Sequence, residues 1–411
     1  MTEINQSKEA ECIPGNDAPA KKQFWPRELV LGLLPLLIGF EILLWTAYLP
    51  LGLRGMADFR TLYASGYMAR MHDARDIYDS DKLLEVKEHL APIGRTFNQP
   101  MDHPAYEVLL YAPLSFLSYR LALIAFVLFN LGGVFLCARL LQPSFQALAA
   151  RWKPFPVLLF LAFFPITRAI TQGQDSVLLL ALLAGALFCL QKKSDWFAGL
   201  LTGLGLFKFQ IVIPIALIFL MWKRWRFMSG FATSTVAVSL VSLLLVGIQG
   251  TRQYANMLLG MSLHLRSETD ALRYSLSPRT MLNLRGLLSA FFVGRIPHWW
   301  LQGLIIASSL AVLLLVARRR PSLPLAIIAA SLVSYHLNAQ DASVLMIPIG
   351  FFLCADSAWL VLIALSALIV PVTAIWPLYG YIGAIPIVAL FVSYLLKRGQ
   401  FELAEAAVVP E

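Results

Sequence analysis

From Leu29 to Leu396 the chain is built of apolar runs separated by short polar turns, and several runs are near the length that crosses ~30 Å of hydrocarbon. That repetition leaves one fold class, an all-α polytopic membrane protein. Composition agrees: 58% of the residues are hydrophobic and 14% charged, where a soluble domain has roughly a quarter of its residues charged. The formal net charge of +9 gathers in clusters beside the runs, such as Lys223-Arg224-Trp225-Arg226 and Arg318-Arg319-Arg320. Such clusters set membrane topology. A basic face with interleaved aromatics is absent, which argues against a nucleic-acid partner.

Residues 1–28 read as a polar, disordered cytoplasmic tail with no apolar signal-peptide core, and residues 397–411 as a second tail. The first span, Leu29 to Leu49, carries Glu41 well inside. Such a carboxylate either faces the bundle interior or serves a function. Further spans are expected at about 120–141, 155–170, 175–190, 227–248, 299–317, 321–337, 343–354, 358–376 and 378–396. Residues 196–222 have Lys208 at their middle, so two half-length helices meeting near Phe207–Gln210 fit better than one span with a buried ammonium. Tyr106–Leu117, punctuated by Pro104 and Pro113, reads as a re-entrant or interfacial piece.

Counting 196–222 as two short crossings gives about twelve transmembrane helices. The inner turns and flanks then hold Arg139, Arg151, Lys153, Lys192, Lys193, Lys223, Arg224, Arg226, Arg318, Arg319, Arg320, Lys397 and Arg398, against Arg168 and Lys208 outside. Both termini fall inside. The two long polar loops, about 50–119 and 249–298, share the outer face, which in a chain with no presequence points to a bacterial cytoplasmic membrane. Phe59, Leu62, Tyr63 and Tyr67, then Leu83, Leu84, Val86 and Leu90, recur at helical spacing. They predict two amphipathic helices lying at the surface and roofing a cavity.

This topology gathers polar residues from distant parts of the chain on one face: Asp58, Arg60, Asp102 and His103; Arg168, Gln172, Gln174 and Asp175; Lys208 and Gln210; Tyr335, His336, Asn338, Gln340 and Asp341. Acid–base groups together with cations suit chemistry on an anionic substrate. Each has a plainer reading. Asp58 could end a helix or pair with Arg60, Asp341 could cap the helix after it, Lys208 could snorkel to the interface, and His336 could make a structural hydrogen bond. Asp79-Ser80-Asp81 mimics a metal-binding DxD motif but reads first as a helix cap. The scattered cysteines Cys12, Cys137, Cys189 and Cys354 give neither a disulfide framework nor zinc spacing.

The stretch Ala57-Asp58-Phe59-Arg60-Thr61-Leu62-Tyr63-Ala64-Ser65-Gly66, followed by Asp76-Ile77-Tyr78-Asp79, resembles the first outer loop of glycosyltransferase family 87. Gln172-Gly173-Gln174, the series Gly199, Gly203, Gly205 and Lys208, and Tyr335-His336 with Gln340-Asp341 continue the resemblance over roughly residues 50–350. It implies a GT-C fold and a mannosyltransferase that takes its sugar from a polyprenyl-phosphate donor. The acceptor would be a glycolipid or glycan, and no metal or other cofactor is expected. By resemblance Asp58 is the base that takes the acceptor's proton, and His336 orients the acceptor or contacts the phosphate. Lys208, Arg168, Arg273 and Arg279 are candidates for the donor phosphate. Arg60, His103, Gln172, Gln174, Tyr335, Gln340 and Asp341 are candidates for substrate contacts. A transporter of lipid-linked sugars, or a non-catalytic scaffold, are the competing classes. A transporter would be expected to show internal repeats and polar groups near the midplane.

Overall fold

The computed structural model describes residues 26–93, 99–150, 152–263, 277–355, 357–376 and 378–396. Among these residues the regular structure is helical, and six helices are long and apolar enough to cross a membrane. Four shorter apolar helices accompany them. Helix α1, Pro26–Leu51, opens with proline and an acid in its first turn, both suited to a helix N-terminus. Its Glu41 is buried close to Thr167, so it faces the bundle interior. Beyond α1, a wide helical turn at Gly52–Met56 kinks at Gly55, whose φ is +97°.

Helix α2, Phe59–Arg70, forms where the periodicity places it, and its first two turns are covered by protein. Phe59 through Gly66 are all buried, and the Phe59 ring packs against Tyr63, Tyr111, Tyr119 and Phe126. The reason is the Pro104–Pro113 segment. It folds into short helical turns that cover α2 so closely that a Cβ at Gly66 would sit 2.6 Å from the Tyr111 backbone. Its ten residues would rise only ~15–20 Å, too little to span hydrocarbon. Helix α3, Ser80–Leu90, is capped by Asp79, whose side chain accepts from Asp81 N and Lys82 N. The DxD-like pair is thus a helix start.

The bundle continues with α4 Tyr119–Leu141, α5 Phe155–Leu161, α6 Phe164–Thr171, α7 Ser176–Gln191, α8 Asp195–Leu204 and α9 Phe209–Met221. Helix α10, Trp225–Leu263, is two helices joined at Gly247 (φ +67°). Its second part therefore occupies much of what reads from sequence as polar loop. Then come α11 Leu284–Phe292, α12 His298–Ala317, α13 Leu323–Val333, α14 Met346–Cys354, α15 Ala358–Ile369 and α16 Ala384–Leu396.

The helix break lies at Gly205–Lys208. As a straight rod Asp195–Met221 would be ~40 Å long, yet Arg224 donates to Asp195 Oδ2 across 2.6 Å. The segment leaves and returns to the same end of the bundle, with Lys208 near its apex. Small residues allow this packing. A Cβ at Gly199 would lie 1.9 Å from Phe227 O, and one at Gly230 would lie 1.9 Å from Trp196 O, so α8 and the start of α10 touch backbone to backbone.

Hydrogen bonds fix the two ends of the molecule. Gln191 to Ser144, Trp222 to Val316 O and Arg224 to Asp195 join turns at one end, where the basic clusters lie. At the other, Lys208 meets Gln174, and Asn283 ties Ser334.

Candidate active site

Asp58 follows the wide turn after α1 and stands at the start of α2, yet it makes no side-chain cap bond to that helix. Instead its backbone is docked onto the turn between α6 and α7. Phe59 N donates to Gln172 O at 2.9 Å and Asp58 N to Gln172 Oε1 at 3.4 Å. This docking needs Gly173. Its φ is +62°, and a Cβ there would approach Phe59 Cβ to 2.5 Å. Only glycine meets both conditions without strain.

The turn then presents Gln174 between two charges. Gln174 Nε2 donates to Asp58 Oδ2 at 2.8 Å, and Lys208 Nζ donates to Gln174 Oε1 at 3.0 Å. Lys208 is buried and also lies 3.1 Å from Asp175 Oδ1 and 3.2 Å from Asp341 Oδ1. It is therefore not snorkelling. Asp341 Oδ1 additionally accepts from Ser176 Oγ at 3.1 Å, and no side chain caps the helical turn Gln340–Leu345 in which Asp341 lies. Among the described residues nothing donates to Asp58 Oδ1, so that oxygen keeps its lone pairs for a ligand.

Asp58, Gln174, Lys208 and Asp341 line an open pocket, with Asp102, His103, His336, Asn338 and Gln340 on its wall. Part of the His336 ring reaches solvent, but its Nδ1 is shut off and has no hydrogen-bond partner. Burial lowers its proton affinity, with Lys208 and His103 adding to the effect and Asp341 and Asp102 opposing it. Behind the wall, His103 Nδ1 bonds Glu107 Oε2 at 2.5 Å and lies 3.6 Å from Asp175 Oδ2. Burial pushes the Glu107 carboxyl up to about 8, helped by Asp175 and opposed by His103.

The other sequence candidates lie elsewhere. Arg60 pairs with Glu88 and donates Nε to Ala91 O, so it braces α2 against α3. Arg168 stacks on Tyr48 at 5.0 Å. Arg279 is exposed, and Tyr335 stacks against Arg285 at 4.2 Å. None of these four lines the pocket, and Gln172 acts through the backbone of Asp58. Arg273 lies outside the described residues. Glu107 escaped sequence reasoning, because it reads as one polar residue inside an apolar segment. The available signal was its spacing, one helical turn beyond His103.

The arrangement defines a polytopic membrane protein with an acid-rich polar pocket at the end of the bundle opposite its basic clusters. A profile of glycosyltransferase family 87 matches residues 103–348, more than half of the chain. The chain belongs to that family and is a glycosyltransferase. Asp58 precedes the matched region, so its assignment rests on the geometry above and on the resemblance of its own loop. No curated protein and no solved structure matches the chain.

Proposed function

We propose that the protein transfers a hexose, with mannose the sugar implied by the family resemblance, from a polyprenyl-phosphate donor to a glycolipid or glycan acceptor. Asp58 acts as the general base. The supporting observation is the Asp58 carboxylate itself, with one oxygen held by Gln174 and the other open at the pocket. A sugar hydroxyl is a weak nucleophile at neutral pH, and a positioned base contributes roughly 10²–10⁴ in rate. The acceptor oxygen attacks the anomeric carbon as Asp58 takes its proton. The bond from that carbon to the phosphate oxygen breaks, and the polyprenyl phosphate leaves with the electron pair. Attack opposite the leaving group inverts the anomeric centre.

Lys208, the lysine lining the pocket, supplies positive potential to the developing phosphate charge. It also holds Gln174 and hence Asp58. His336 lines the pocket and serves to orient the acceptor. The site would face the outer, periplasmic side of a bacterial cytoplasmic membrane, since the basic clusters lie at the other end. Two polar features within the apolar runs have other places in the fold. Glu41 is buried in the bundle, and the broken helix delivers Lys208 to the pocket.

The test is transfer from a short-chain polyprenyl-phosphate mannose to a panel of glycolipids by the purified protein. Asp58→Asn should bind the donor and lose turnover by roughly 10²-fold or more. Equal activity in both proteins would remove Asp58 from the chemistry.

A further inference from the structure

We propose that His103, Glu107 and Asp175 form a divalent-cation site just behind the wall of this pocket, which His103 lines. Ligand atoms of the three residues lie within 4.8 Å of one another. An imidazole and two carboxylates from a loop, a helical turn and the start of α7 are a suitable donor set for an ion such as Mn²⁺. This departs from the metal-free transfer that the family resemblance leads one to expect.

A second observation points the same way. Glu107 Oε1 and both carboxylate oxygens of Asp175 are shielded from solvent and accept no hydrogen bond. Glu107 is 3% exposed and Asp175 0%. Lys208 Nζ stands 3.1 Å from Asp175 Oδ1 as an ion pair. Glu107 Oε1 and Asp175 Oδ2 are left without a donor. Buried carboxylate oxygens in that state are costly, and a cation held between them satisfies both.

Charge balance adds to the case. Asp58, Asp102 and Asp341 line the pocket, Glu107 and Asp175 lie behind it, and Lys208 and His103 are the described basic groups that pair with these acids. Such a pocket is poorly suited to a phosphate-bearing ligand until a further cation enters. A divalent ion at these residues would reverse the local field. That consequence rests on the proposed function, whereas the site itself does not.

The test is Mn²⁺ binding to the full-length protein after chelator treatment, read by electron paramagnetic resonance and independent of any transfer assay. The parent should take up one equivalent, and the bound ion should show coupling to an imidazole nitrogen. Glu107→Gln and Asp175→Asn should each weaken binding at least ~10-fold. No binding at millimolar Mn²⁺ would overturn the site. So would bound Mn²⁺ without nitrogen coupling, or binding unchanged in folded variants. The nitrogen coupling is read on the parent, so it decides the question even if a variant fails to fold.

Discussion

Gln174 faces Lys208 with its carbonyl oxygen, 3.0 Å from Nζ, and Asp58 with its amide nitrogen, 2.8 Å from Oδ2. A lysine only donates and an ionised carboxylate only accepts, so the two neighbours fix the amide's orientation without ambiguity. A buried ammonium thereby positions a carboxylate it does not touch.

Breaking that link should cost turnover more than binding. In Gln174→Met, Asp58 loses its donor while the volume is kept, and kcat should fall by roughly 10–100-fold, the worth of a charge-assisted hydrogen bond of ~1.5–3 kcal/mol. Gln174→Glu should be at least as damaging, because it sets a like charge against Asp58. Steady-state kinetics with a fixed donor would show it. An unchanged kcat in Gln174→Met would remove the glutamine from the mechanism.

Gly173→Ala should destabilise the fold by ~1–3 kcal/mol, through a positive φ and a clash with Phe59. The control is Gly39→Ala, where a Cβ meets nothing within 4 Å. Thermal melts in detergent should show a lowered midpoint for the first variant and almost none for the second.

The fold-back of α8 and α9 can be tested by distance. With the native cysteines replaced, Asp195→Cys and Arg224→Cys should be joined in high yield by a short bis-maleimide, because the parent side chains meet at 2.6 Å. A straight crossing would separate these positions by ~40 Å and give no intramolecular product.

His336 gives a pH signature. Burial holds its folded pKa below the ordinary value of 6.5, so the unfolded chain takes up its proton first on acidification. Stability is therefore full above about pH 6.5. It is lost as pH falls through the folded pKa and levels off below it. His336→Asn should flatten the dependence of the melting midpoint on pH in that window. An identical slope in parent and variant would show that His336 does not titrate on unfolding.

Much of the pocket was legible in the sequence. Asp58, His103, Gln174, His336, Gln340 and Asp341 sit in polar loops and turns that the charge pattern places on one face, while Lys208 interrupts an apolar run and is expensive in a membrane unless it meets an acid. The break at Lys208 could be read for the same reason. The arginines could not be placed. Arg168 and Arg60 have the same local pattern as pocket cations, and only the fold shows that Tyr48 and Glu88 engage them. The burial of α2 was equally hidden. Its amphipathic spacing suits a lipid surface as well as a protein one, and what covers it is a segment some forty residues later whose fit depends on Gly66.

The chain order around Lys208 has a consequence for biosynthesis. Asp175 is made before Lys208, so an acid is already available when the hairpin carrying the lysine enters the bilayer. Asp341 arrives only after five more helices, α9 to α13, have been made. Half of the lysine's acidic partners thus protect it during insertion, and the other half appear only once the bundle is almost complete. A ribosome-stalled chain ending before Asp341 would hold its lysine safely and still lack a finished pocket.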